Sequence, residues 1–120
     1  MKLHAIIPLA LAILLLLAGS AGAGLYQKGG TTLSFLRVTD INTGYGPPND
    51  FINAEVVILF TGQPNAGYGF QLRNDANGPT RRGMLDLLRD AYINRLNVTI
   101  DVEIPDGKQN GIIRRVWLTR

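Results

Sequence analysis

Only one stretch of this chain carries a helical period. Between Thr80 and about Asn94, Met84, Leu85, Leu88, Ala91 and Tyr92 recur at i, i+1, i+4, i+7 and i+8 and share one helix face. Thr80 is the expected N-cap. The remaining apolar runs after residue 32 are short, rich in β-branched or aromatic residues, and bounded by Gly, Pro, Asn or Asp. Such a chain is mainly β with one α-helix.

Five strands are expected. The first spans Leu33 to Ile41 and is followed by a turn-rich loop, Asn42 to Asp50, that carries Tyr45. The second, Ile52 to Phe60, contains Val56-Val57-Ile58-Leu59-Phe60 and is apolar on both faces. One face would meet the core; the other would meet a helix, a neighbouring subunit or a ligand. Thr61 to Gly67 reads as a hairpin loop, and Tyr68 to Arg73 as the third strand. After the helix, Asn97 to Ile104 alternates strictly. Val98, Ile100, Val102 and Ile104 point inward; Asn97, Thr99, Asp101 and Glu103 point outward. The turn Pro105 to Gly111 leads to a last strand, Ile112 to Arg120. Its pattern slips near Arg114-Arg115, which predicts a bulge that keeps Ile113, Val116 and Leu118 on the core side.

Residues 1–23 read as a secretion leader. Lys2 makes a basic start, Ala5 to Ala18 is apolar, and Ala21-Gly22-Ala23 forms an Ala-x-Ala box. About 14 apolar residues fall short of the ~20 needed to span a bilayer. Cleavage after Ala23 would leave a protein secreted from, or periplasmic in, a bacterium. Residues 24–32, polar and Gly-rich, read as a flexible lead-in, and residues 33–120 as one domain.

The residue inventory excludes much chemistry. The chain has no cysteine, and its one histidine, His4, lies in the leader. Ser34 is the only serine after the leader. Disulfides, Cys-ligated zinc and Ser-His or Cys-His nucleophile systems are therefore out of reach. No enzymatic activity, cofactor or metal is expected. Twelve Lys and Arg stand against nine Asp and Glu, and nine of the twelve are Arg. Arginine favours bidentate contacts with carboxylates or sugars, while the small excess argues against a nucleic-acid stripe.

The order strand, strand, strand, helix, strand, strand is the layout of the five-stranded OB barrel, in which the helix would plug one end. A split sandwich with a docked helix is the alternative. Three segments carry a resemblance over about residues 50–120. They are the helix Arg82-Gly83-Met84-Leu85-Asp86-Leu87-Leu88-Arg89-Asp90-Ala91-Tyr92, the strand Asn97-Val98-Thr99-Ile100, and Gly111-Ile112-Ile113-Arg114-Arg115-Val116-Trp117-Leu118. In these the chain resembles the OB-fold B-subunit-like proteins of secreted bacterial toxins, the group with the subtilase-cytotoxin and pertussis-toxin-type pentamers. The resemblance implies a non-enzymatic binding or assembly module, a homo-oligomer, and a glycan or protein partner. Single-stranded nucleic-acid binding and carboxylate-dependent hydrolysis are the competing readings.

Three residues stand out for binding. Arg115 and Trp117 should project together from the outer face of the last strand, an arrangement suited to sugar stacking or a subunit contact. Tyr45 sits in a loop of the kind that carries binding at a barrel mouth. Asp101 and Glu103, two apart on one strand face, could serve glycoside hydrolysis or bind a hard cation, and read most simply as a solvated face.

Overall fold

The computed structural model describes residues 23–120. The expected leader lies outside the described residues, apart from Ala23. Six strands and one helix follow in the order β1 (Ala23–Thr31), β2 (Leu33–Val38), β3 (Val56–Phe60), β4 (Gln63–Phe70), α1 (Gly78–Asn94), β5 (Asn97–Pro105) and β6 (Gly111–Thr119). They form one sheet with strand order β1-β5-β6-β4-β3-β2. Its ladders are antiparallel except the β4–β6 pair, which is parallel. The described residues are therefore mainly β with one helix, and the sheet has six strands rather than five.

The extra strand is β1, built from the segment expected to be a flexible lead-in. It runs antiparallel to β5 from Ala23↔Pro105 to Thr31↔Val98. Backbone pairing holds it, while Leu25 and Tyr26 stay 60% and 46% exposed. A strand with so little side-chain burial leaves no alternating pattern to read. Gly29 and Gly30 then turn the chain with φ of 112° and 75°. A Cβ on Gly29 would lie 2.2 Å from the Val98 carbonyl oxygen, so only glycine fits there. β1 and β2 end up at opposite ends of the strand order although Thr32 alone separates them. Thr32 is pinned to the β3–β4 turn: its carbonyl accepts the Thr61 amide at 3.0 Å, and the two hydroxyls meet at 2.8 Å.

β3 is apolar on both faces because two clusters meet there. Val56, Ile58 and Phe60 join the main core with Phe70, Leu88, Val98, Ile100 and Val102. Val57 joins Ile52 and Ala54 in a smaller cluster covered by Phe35, Tyr45 and Ile112. The second face of β3 therefore meets the protein's own β2–β3 loop, not a helix. The turn after β3 is also tighter than its Pro and Gly content predicts. Only Thr61 and Gly62 separate the strands, and β4 starts at Gln63. The register jumps from Phe60↔Gln63 to Ile58↔Tyr68, so Pro64 to Gly67 bulge out of the ladder. A proline that cannot donate to a sheet is tolerated in such a bulge.

In α1 the N-cap position is Asn77, and Thr80 lies inside the first turn. Pro79 explains the earlier start, because a proline in the first turn sacrifices no helical hydrogen bond. Met84, Leu88 and Ala91 are buried against the sheet, and Leu85 packs beside them. Tyr92 is 45% exposed, at the border of the face on which the periodicity placed it. The expected bulge in β6 is present: Arg115 pairs with Asp101 and Ile113 with Val102, leaving Arg114 as the extra residue. Ile113 is buried in the core, with Val116 and Leu118 packed against it.

The most enclosed charged group among the described residues is Glu55. Glu55 is 1% exposed, and its Oε1 accepts the Leu72 amide at 2.9 Å and the Arg73 guanidinium. This pair ties the end of the β2–β3 loop to the segment leaving β4.

Candidate binding site

Three loops converge beside the smaller apolar cluster. The β2–β3 loop contributes Tyr45, Gly46, Pro47, Asn49 and Asp50; the β4 bulge contributes Asn65; the β5–β6 turn contributes Gln109 and Asn110. Together they line a cleft of about 560 Å³, within the range of small-ligand sites.

Backbone and side chain together position Tyr45. Its amide donates to the Ile52 carbonyl at 2.9 Å, and its carbonyl accepts the Ile52 amide at 2.8 Å. The Arg37 guanidinium lies 5.5 Å from its ring centroid, and Arg37 Nη2 donates to the Gly44 carbonyl at 2.7 Å. Gly67 also adjoins the ring: a Cβ there would come within 2.3 Å of the tyrosine. One side chain therefore holds both the ring and the backbone before it, and a glycine makes room for it.

Asn110 is the keystone of the cleft floor. It is 3% exposed. Its Oδ1 accepts the Gly67 amide at 2.7 Å, and its Nδ2 donates to the Asp50 carbonyl at 2.7 Å. The Asp50 carboxylate in turn accepts the amides of Gln109 and Asn110 at 3.1 and 3.2 Å. Lys108 Nζ donates to the Asn49 carbonyl. All three loops are cross-linked, so the cleft is a formed surface. The side chains of Asn65 and Gln109 are exposed on its wall and make no hydrogen bond of their own among the described residues.

The sequence-predicted residues occupy two separate places. Tyr45 lines the cleft. Arg115 and Trp117 lie across from Asp101 and Thr99 on the outer face of the β5–β6 pair. Ile112, beside Tyr45, and Trp117 are roughly 16 Å apart along β6 at ~3.3 Å per residue. Arg115 is exposed and forms an ion pair with Asp101 Oδ2 at 2.6 Å; Trp117 is part-buried. The outer face of β5 is not solvated throughout, as its alternation predicts. Thr99 and Asp101 are 7% and 8% exposed, because β1 and β6 flank them with Gln27, Arg115 and Trp117 in register. Asp101 and Glu103 do not form an open carboxylate pair; each is engaged by an arginine, Arg115 and Arg114 respectively.

Asn49, Asp50, Asn65, Gln109 and Asn110 were missed from sequence, where they read as ordinary turn chemistry. Their shared signal is the density of amide side chains in two loops. Among the described residues no group of His, Cys, Asp and Glu is placed to hold a metal, and no helix is long and apolar enough to cross a membrane. No protein-family model and no curated protein matches this chain.

Proposed function

We propose that this protein is a secreted, non-enzymatic binding module whose loop-face cleft recognises a glycan, carried on an OB-type barrel. The barrel reading takes β1, Thr32 and β2 as one bent first strand. The strand order then has five members, each beside its neighbours, with the ends of the order joined through Thr32. On that count the cleft lies between the loop after the first strand and the loop before the fifth, the loops by which such barrels bind oligosaccharides and oligonucleotides.

The observation that carries the glycan reading is the cleft lining. It combines an aromatic ring with amide and carboxylate side chains, and the neighbouring Lys108 and Arg37 are engaged by the Asn49 and Gly44 carbonyls. Amides and carboxylates match the paired donors and acceptors of sugar hydroxyls, and the part-exposed edge of Tyr45 adds apolar contact area. Phosphate-backbone binding draws instead on Lys and Arg. The test is a glycan array probed with the protein and with Asn65→Ala and Gln109→Ala. Both variants should lose binding while melting as the parent does. Binding no glycan, or binding unchanged in both variants, would sink the proposal. Salt-sensitive binding of single-stranded DNA would favour the nucleic-acid reading instead. Assembly into a homo-oligomer belongs to the same proposal, and a monomeric mass in solution would remove that part.

A further inference from the structure

A second cleft lies on the flank of the sheet, where α1 meets β6. It has about 280 Å³, and an adjoining hollow of about 180 Å³ shares Arg81, Ile113 and Arg114 with it. The floor is apolar and fixed: Phe70, Ile113 and Met84 are 1%, 2% and 9% exposed. Gln71 stands on the rim, and Arg81 and Arg114 both face the space. No Asp or Glu lines either part.

The two arginines are incompletely used. Arg81 reaches Asp75 through Nη1 alone, at 3.3 and 3.5 Å. Arg114 reaches Glu103 through Nε alone, at 3.1 Å. Among the described residues, the remaining nitrogens of both guanidiniums have no protein acceptor. The two acids are half-exposed, 51% for Asp75 and 44% for Glu103, so neither pair is a strong competitor for its arginine. Planar guanidiniums with spare N–H groups take a carboxylate in a fork, and a closed apolar floor takes the body that carries it.

We infer that this cleft binds a small carboxylate on an apolar body, such as an aryl-alkanoate, at a site separate from the loop-face cleft. The carboxylate meets the spare N–H groups of Arg81 and Arg114 while the apolar body packs on part-exposed Ile112 and the edge of Met84, above the closed floor. The two linings share no residue.

The test is an amide-shift NMR titration with 3-phenylpropionate, 3-phenylpropionamide and inorganic phosphate, at low salt. The acid should give saturable shifts at Gln71, Arg81, Ile112 and Ile113, and bind about tenfold or more tightly than the amide. Phosphate, lacking the apolar body, should bind more weakly than the acid. Arg114→Gln, at a half-exposed side chain that the fold tolerates, should lower affinity about tenfold. Glu103→Gln should raise it, because it frees Arg114; a merely structural role for the pair would not give that sign. Equal titration by acid and amide, shifts elsewhere, tighter binding of phosphate than of the acid, or an unchanged affinity in Arg114→Gln would each overturn the inference.

Discussion

Asn110 and Asp50, sixty residues apart in sequence, bind each other reciprocally. The Asn110 side chain donates to the Asp50 carbonyl at 2.7 Å, and the Asp50 carboxylate accepts the Asn110 amide at 3.2 Å. Neither loop can shift without breaking both links. Because Asn110 Oδ1 also holds Gly67, the same residue joins the β4 bulge to them.

Asn110→Ala should therefore destabilise the protein by about 2–6 kcal/mol, since it strands a buried amide and a carbonyl at ~1–3 kcal/mol each. Urea melts would measure it. The same variant should broaden or shift the NMR signals of Tyr45 and Asn65, whose positions depend on the cross-link. A loss below about 0.5 kcal/mol would mean the loops are held without it.

Leu88 and Tyr92 lie one helical turn apart but differ in burial. Leu88 is fully enclosed and Tyr92 is 45% exposed. Leu88→Ala should cost about 2–5 kcal/mol. Tyr92→Ala should stay within about 0.5 kcal/mol, as surface substitutions do. Comparable losses in parallel thermal melts would contradict the docking of α1.

The ion pairs should rank by enclosure. Glu55→Gln removes the partner of Arg73 inside the protein and leaves a part-buried guanidinium unbalanced, at a cost of about 2–4 kcal/mol. Glu103→Gln breaks a half-exposed pair and should stay within about 0.5 kcal/mol. Chemical denaturation of the two variants side by side checks the order.

Tyr68 gives a pH dependence. It is 3% exposed, and burial pushes its phenol above the ordinary value of 10.0. The folded protein thus holds this proton more tightly than the unfolded chain does. The contribution is complete below pH 10 and declines as pH rises through the raised value. Alkaline unfolding should steepen above pH 10, and Tyr68→Phe should lessen that steepening. Identical alkaline profiles for the two proteins would show that other groups govern it.

Trp117 lies in register with Thr99, which is nearly buried. Trp117→Ala should expose that threonine and cost about 1–3 kcal/mol, less than a fully enclosed tryptophan because this one is part-buried. Unchanged stability combined with lost assembly would mark the residue as part of a subunit contact. A melt and a solution mass on the same sample separate the two.

What the chain determined locally is clear from α1, β5 and β6. The 3.6-residue period around Leu88, the strict alternation from Val98 to Ile104 and the slipped pattern at Arg114 each report a face that water must not reach. Burial imposes such patterns directly on sequence. β1 carried no comparable pattern, because its place comes from backbone bonds to β5 and leaves Leu25 and Tyr26 exposed. Hydrogen-bonded backbone has no side-chain signature, so a Gly-rich polar segment looked free. The cleft was legible only in Tyr45. Asp50, Asn65 and Asn110 come from three loops, and their meeting depends on how the sheet brings those loops together. The reach of Arg37 to Tyr45 and of Arg73 to Glu55 likewise spans elements that only the tertiary fold makes neighbours. Local periodicity is written by burial along one element, whereas a site built from loops is decided by packing between elements.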